Sequence, residues 1–315
     1  MGMGADIAER WPDLVDAYYR PADEILGIPL TDLCRHGPQE ALRETAVTQP
    51  AIFVTSMAAL DVLRRRGVRP DVVAGHSLGE YAALTAAGVL EWTDALRLVR
   101  YRGELMAAVN ERVPGAMLAV MGLDLAVVEE LCARVAEETG QVVEVANDNE
   151  PAQAVVSGEA AAVARLGHAA TEAGARKVVP LGVGAPFHCA LMRSVEADFA
   201  DALAAVDFRD PVVPVVSSVT GEPIRDARDA VGCLRRQLAG RVEWTGAVRR
   251  MVRDGVSRCV EVGPGKVLAG LCRRISPELE IHTTGDAVRL DRACEALTAP
   301  SEDGATAKRT EECAA

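Results

Sequence analysis

Ser77 lies in Gly75-His76-Ser77-Leu78-Gly79, a Gly-x-Ser-x-Gly pentapeptide that follows the apolar run Val72-Val73-Ala74 and opens onto Leu78 to Leu90, an apolar segment with helical spacing. A serine on a sharp strand-to-helix turn is presented as a nucleophile, and the two glycines leave room for the turn. The chemistry this serves is acyl transfer: the hydroxyl attacks a carbonyl, and free N–H groups at the helix N-terminus stabilise the oxyanion that forms. The competing reading is an Ala/Gly-rich helix start without chemistry, and the strand-turn-helix context speaks against it.

A serine hydroxyl is a weak nucleophile until a base takes its proton, so one of the five histidines should complete the site. His36 falls in a polar loop, His168 inside a helical segment and His282 near the frayed end. His76 adjoins Ser77, where its side chain would point elsewhere. His188 remains, in Gly184-Ala185-Pro186-Phe187-His188-Cys189. Spacing alone leaves a catalytic base and a satisfied structural histidine equally open there.

The elements that must position these residues follow from periodicity. Residues 5 to 66 read as helices broken at Gly27-Ile28-Pro29 and Gly37-Pro38, and a helix capped by Thr93 runs to about Val109, carrying Arg102. Residues 115 to 184 change rhythm: strand 116–121, helix 126–138, strands 142–145 and 153–157, helix 160–173, strand 177–183. That order, βαββαβ, is the ferredoxin-like split pattern. It does not continue the parallel sheet expected around Ser77, so the segment reads as an insert. The expected fold is an α/β-hydrolase-like parallel-sheet core, residues 1–114 and 185–292, with a ferredoxin-like subdomain at 115–184 and a disordered tail at 293–315. Past the insert, helices are expected at 190–206, 230–238 and 247–254, and strands at 212–217 and 258–263.

With 315 residues, 49% of them hydrophobic but only 3% aromatic, the chain can fill a large core with Ala, Val and Leu. No apolar run reaches the roughly 18 residues of a membrane span, and the N-terminal region has no signal-peptide core, so a cytoplasmic location is expected. The eight cysteines (34, 132, 189, 233, 259, 272, 294 and 313) form neither Cys-x-x-Cys pairs nor Cys/His clusters, which argues against a metal site and a disulfide framework. A formal charge of −12 disfavours nucleic-acid binding. Locally, Arg249, Arg250, Arg253 and Arg258, then Lys266, Arg273 and Arg274, could form an anion-facing surface or simply solvated helix faces.

Five motifs occur in order: AGHSLGEYAAL at 74–84, the arginine of YRGELM at 101–106, APFHCALM at 185–192, Arg236-Gln237-Leu238, and EVGPGKVL at 261–268. Together they resemble the malonyl-CoA:acyl carrier protein transacylase family over about residues 2 to 290. The resemblance implies that Ser77 attacks the malonyl thioester and that His188 is the base, oriented by the main-chain carbonyl of Gln237 rather than by a carboxylate. It implies that Arg102 clamps the free carboxylate of malonate, a task suited to a planar guanidinium. Leu78 and Phe187 match malonyl-selective members, in which bulk near the α-carbon disfavours a branch; a methyl group is worth roughly 1–3 kcal/mol of such discrimination. Arg176 and Lys177 fall where relatives contact CoA phosphates, and Asn147 and Asn149 fall in a loop bordering the cleft. The implied substrates are malonyl-CoA and a phosphopantetheinylated acyl carrier protein, with no bound cofactor, metal, nucleic acid or membrane.

In the family, one oxyanion N–H comes from the residue after the serine, here Leu78. The other comes from a Gly-Gln-Gly-Ser-Gln segment that follows a first strand. Met1-Gly2-Met3-Gly4 falls immediately past that motif. Losing one donor costs about 2.7–4 kcal/mol. The expectation is that Met1 is an internal codon and that the DNA upstream encodes strand and motif in frame. The competing functions are an acyl-carrier-protein hydrolase of the same fold, for which Arg102 would have no use, and a truncated, impaired carrier-protein-binding subunit. A stand-alone esterase would use neither Arg102 nor the Gly-Pro-Gly turn.

Overall fold

A computed structural model describes residues 2–183 and 185–299. The first helices are α1 Ala5–Arg10, α2 Arg20–Leu26, α3 Leu30–His36, α4 Gln39–Arg43 and α5 Thr45–Arg65. They break at the two Gly/Pro sites expected from the sequence. Next come β1 Val73–Ala74, α6 Gly79–Ala86, α7 Trp92–Arg112, β2 Gly115–Met121, α8 Leu125–Thr139, β3 Val143–Glu150, β4 Gln153–Glu159, α9 Ala160–Glu172 and β5 Lys177–Pro180. After a 3-10 segment Ala190–Val195, the described residues continue through α10 Glu196–Ala204, β6 Val215–Val216, α11 Ala227–Gln237, β7 Val242–Glu243, α12 Trp244–Arg253, β8 Arg258–Glu261, α13 Val267–Ile275, β9 Glu280–Thr283 and α14 Ala287–Thr298.

The central helix is α5, apolar on most sides because it is enclosed on most sides. By length and composition it would pass as a membrane span, contrary to the expectation that no such run exists. Yet 78% of that stretch is buried inside the protein. Pro50 sits within it and has no N–H, which frees the Ala46 carbonyl one turn back. Arg100 Nη1 on α7 donates to that carbonyl at 2.8 Å. Beside it Gly103 lets α7 come close, since a Cβ there would stand 2.7 Å from the Ala46 Cα. This contact brings Arg102 onto Gln49.

The strand before the nucleophile, β1, pairs in parallel with β6 (Val73 with Val215, Ala74 with Val216), and β8 pairs in parallel with β9. A separate sheet has the order β5-β2-β4-β3-β7. Within residues 115–180 its neighbours are all antiparallel, whereas β7 joins β3 in parallel from the later part of the chain. The sheet therefore does not close at the expected boundary of the insert. Its two faces alternate along β2. Leu118 and Val120 pack under α8 and α9, while Met117 and Ala119 point the other way, onto Ala146, Val155 and Phe187.

Several boundaries depart from expectation. The helix after Ser77 stops at Ala86, where Gly88, with φ of +76°, turns the chain. Glu91, not Thr93, precedes the first turn of α7. Only Val215–Val216 of the expected strand 212–217 is paired. Asn147 and Asn149 lie on β3, not in a loop. The register shifts between Val145 and Asn147, so Asn147 pairs with Val155 and shares its face, whereas unbroken alternation would have put it on the outer face with Val145. Residues 293–298 are helical, with Ala293 and Cys294 buried, because an apolar stripe from Leu290 docks α14 on the core. The rest of the expected tail, 300–315, lies outside the described residues.

Candidate active site

At the turn after β1, Ser77 adopts φ of +52°, a left-handed conformation unusual for a residue with a side chain. Gly75 makes the turn possible, because a Cβ there would overlap the Gly79 carbonyl and the Glu80 nitrogen. Gly79 plays no such part: a Cβ on it would meet open space. The Ser77 carbonyl turns into α6 and accepts the Glu80 N–H at 3.0 Å. The Leu78 N–H, ahead of the first turn, donates to no carbonyl or side chain among the described residues.

His188 also has positive φ, +58°, and its ring meets Ser77 Oγ through Nε2 at 2.7 Å. Its Nδ1 lies 2.8 Å from the main-chain carbonyl of Gln237 at the end of α11. A carbonyl only accepts, so Nδ1 carries the proton and the Nε2 lone pair faces the serine hydroxyl. Two residues on, the Ala190 N–H donates to Glu144 Oε2 of β3 at 2.8 Å, which ties the His188 loop to the five-stranded sheet.

Arg102 is buried, and its two terminal nitrogens have different tasks. Nη1 donates to Gln49 Oε1 at 2.6 Å, Nη2 donates to Ser77 Oγ at 2.9 Å, and Nε has no partner among the described residues. Ser77 Oγ thus donates to a neutral imidazole while accepting from a cation. Burial, and secondly the Arg102 charge, push the His188 pKa from 6.5 down to about 3. The imidazole is accordingly neutral and ready to accept a proton across the neutral pH range. This arrangement can deprotonate a serine as it attacks a carbonyl, and it offers a guanidinium edge to an anion within reach of the same oxygen.

The structure thus joins Ser77, His188, Gln237 and Arg102 directly, with Leu78 adjoining the serine. Phe187 adjoins His188 and packs on the inner face of the five-stranded sheet. Asn149 enters indirectly: its Oδ1 accepts from His76 Nε2 at 2.8 Å, and Trp244 meets the same ring edge-on at 5.6 Å between centroids. Asn147 is buried on β3, and Arg176 and Lys177 are exposed around the start of β5. No hydrogen bond or ion pair links those three to the serine among the described residues. Two polar groups here were not foreseen from sequence, Gln49 and Glu80. Each sits inside an apolar helix, and its polar type at a buried position is the signal that could have found it.

The EVGPGKVL segment is structural here. Glu261 accepts the Leu268 and Ala269 N–H groups that open α13, and a Cβ on Gly263 would overlap Ser56 Oγ of α5. In the basic cluster, Arg250 pairs with Glu222 and Asp254, and Arg274 with Glu150; Arg258 and Arg273 donate to the Ala296 and Ile281 carbonyls, and Arg249, Arg253 and Lys266 are exposed with no ion pair among the described residues. Among the described residues no group of His, Cys, Asp and Glu is arranged to hold a metal ion.

A family model for the acyl transferase domain matches residues 1–277. The malonyl CoA-acyl carrier protein transacylase of Escherichia coli K12 is 44% identical over 282 residues, covering 87% of this chain and 88% of that one. The crystal structure of a malonyl-CoA:acyl carrier protein transacylase from Xanthomonas oryzae pv. oryzae superposes with a TM-score of 0.90 at 40% identity, over 94% of each chain. A type II PKS acyl-carrier protein in complex with its malonyl-transacylase gives 0.89 at 39% identity, over 94% of this chain and 95% of that one. The chain therefore belongs to the malonyl CoA-acyl carrier protein transacylases, within the acyl transferase domain family.

Proposed function

We propose that this chain transfers a malonyl group from malonyl-CoA to the phosphopantetheine thiol of an acyl carrier protein through an ester on Ser77. In the first half-reaction Ser77 Oγ attacks the thioester carbonyl as His188 Nε2 takes its proton. The Leu78 N–H is aimed at the resulting oxyanion. Collapse of the intermediate breaks the C–S bond, and the imidazolium returns its proton to the departing CoA thiolate. The second half runs in reverse: His188 deprotonates the carrier thiol, which attacks the ester and releases Ser77. The Gln237 carbonyl keeps the ring in the required tautomer throughout.

Arg102 selects the diacid. Its Nη2 leaves Ser77 Oγ as the ester forms and turns with the unpartnered Nε toward the malonyl carboxylate, while Gln49 keeps hold of Nη1. Leu78 and Phe187 crowd the α-carbon. Arg176 and Lys177 are assigned to the CoA phosphates, and Asn147 and Asn149 to the cleft wall. The sheet order β5-β2-β4-β3 supports reading 115–184 as a ferredoxin-like insert in an α/β-hydrolase-like core formed by 1–114 and 185–292. The free thiols of the described cysteines support a cytoplasmic location.

The observation that carries the proposal is the convergence of His188 Nε2 and Arg102 Nη2 on one serine oxygen, at 2.7 and 2.9 Å. Its test is intact-protein mass spectrometry after mixing with malonyl-CoA. A malonyl adduct that maps to Ser77, is absent from Ser77→Ala and is discharged by holo carrier protein is the expected result; an unmodified wild-type protein would refute it.

A further inference from the structure

Glu80 is fully buried in α6, on the turn after the nucleophile, and the reaction as described makes no use of it. Three donors converge on its carboxylate: Ser217 Oγ at 2.6 Å, Ser218 Oγ at 2.9 Å and Gln237 Nε2 at 2.6 Å. The same Gln237 nitrogen donates its second proton to the Ser77 carbonyl at 3.0 Å. Gln237 therefore grips the active site twice. Its side chain supports the strained serine, and its main-chain carbonyl holds the histidine ring.

Only one orientation of that amide works. Reversed, it would set Oε1 against two acceptors, the Ser77 carbonyl and the Glu80 carboxylate. Nothing else fixes the orientation, since Gln237 Oε1 has no partner among the described residues. The two serines follow β6, the strand paired with the one that delivers Ser77, so the carboxylate also ties the end of α11 to the sheet.

We propose that Glu80 is a positioning residue for the acyl transfer: through the Gln237 amide it sets the end of α11 so that the Gln237 carbonyl meets His188 Nδ1 and the Ser77 carbonyl is held in its left-handed turn. Glu80 touches no reacting atom. It acts on the angle between base and nucleophile, and therefore on the rate of acylation rather than on substrate binding. This rests on the roles assigned above to Ser77 and His188.

The test is quenched-flow acylation by malonyl-CoA, with thermal melts, on wild type, Glu80→Leu, Glu80→Gln, Gln237→Met and the Glu80→Leu/Gln237→Met double variant. Gln237→Met keeps the main-chain carbonyl and loses only the amide. Glu80→Leu is expected to lower the acylation rate about 10- to 100-fold at unchanged KM, the range of a lost hydrogen bond to a charged group. Glu80→Gln can still accept from Gln237 and should recover most of the rate. Gln237→Met should match Glu80→Leu, and the double variant should be no slower than the worse single one.

Several outcomes overturn the proposal. They are a Glu80→Leu rate that falls only in proportion to the protein unfolded at assay temperature, a Glu80→Gln as slow as Glu80→Leu, or additive losses in the double variant. If Glu80→Leu does not fold, Glu80→Gln against Gln237→Met decides: equal rates overturn it. A wild type that is never acylated on Ser77 refutes the assignment of the site itself, a separate result from failure of the Glu80 variants.

Discussion

Replacing Arg102 by alanine should collapse the preference for malonyl-CoA over acetyl-CoA. In the structure Nη2 rests on Ser77 Oγ at 2.9 Å, Nε has no partner among the described residues, and Nη1 is anchored on Gln49 at 2.6 Å. A malonyl carboxylate bound there would meet one edge of a buried guanidinium. Removing one partner of such a charge pair costs about 2–5 kcal/mol, or about 30- to 5,000-fold in kcat/KM. Acetyl-CoA has no carboxylate and gains nothing from the pair. Whatever Arg102 does for the serine oxygen or the histidine is common to both substrates and cancels in their ratio. The malonyl-to-acetyl ratio should thus fall at least about 30-fold. Acetyl transfer itself is expected to hold or rise, since the positive charge that depresses His188 has gone. The assay is competitive acylation of Ser77 from equimolar malonyl-CoA and acetyl-CoA, read as two ester masses on the intact protein. Arg102→Lys, which keeps the charge but not the planar fork, should fall between wild type and alanine. A variant that acylates from both donors with its ratio within about threefold of wild type would sink the clamp and leave Arg102 as a structural residue.

Three further outcomes follow from the same geometry. His188 titrates near 6.5 in the unfolded chain and about 3 when folded, so between those values the unfolded state binds more protons, and folding stability falls as pH drops through that window. Urea midpoints at pH 7, 5.5 and 4 should decline more steeply for wild type than for His188→Leu, and parallel slopes would contradict this. Gly75→Ala should fail to fold or lose several kcal/mol, whereas Gly79→Ala should melt at or slightly above the wild-type temperature, because only Gly75 meets backbone. Phe187→Ala should raise use of methylmalonyl-CoA relative to malonyl-CoA by about 10-fold or more, measured by the same two-ester competition, and an unchanged ratio would free Phe187 from selectivity.

How much of this site could be read from sequence depends on whether a residue's role is local. Ser77 was legible because its turn is encoded within five residues, and Gly75 carries the encoding through one backbone contact. The βαββαβ order was legible because it rests on periodicities of 2 and 3.6 within short windows. Asn149 was misplaced because the polar run Asn147-Asp148-Asn149-Glu150 ahead of Pro151 looks like a loop. It is in fact the end of a buried strand with two register shifts, which local alternation cannot foresee. Gln49 and Glu80 were missed for another reason: their partners lie 53 residues away at Arg102 and 157 away at Gln237. Nothing in the helices α5 and α6 announces those contacts except the cost of burying an amide or a carboxylate unpaired. That cost also explains why the groups persist at such positions. A buried Glu80 without Ser217, Ser218 and Gln237 would destabilise the fold, so the polar residues of α6, the β6 end and α11 must be chosen together. In satisfying one another they fix where the base stands relative to the nucleophile. The catalytic geometry is in this sense a product of how the core settles its buried polar groups, and the pentapeptide around Ser77 is its only locally written part.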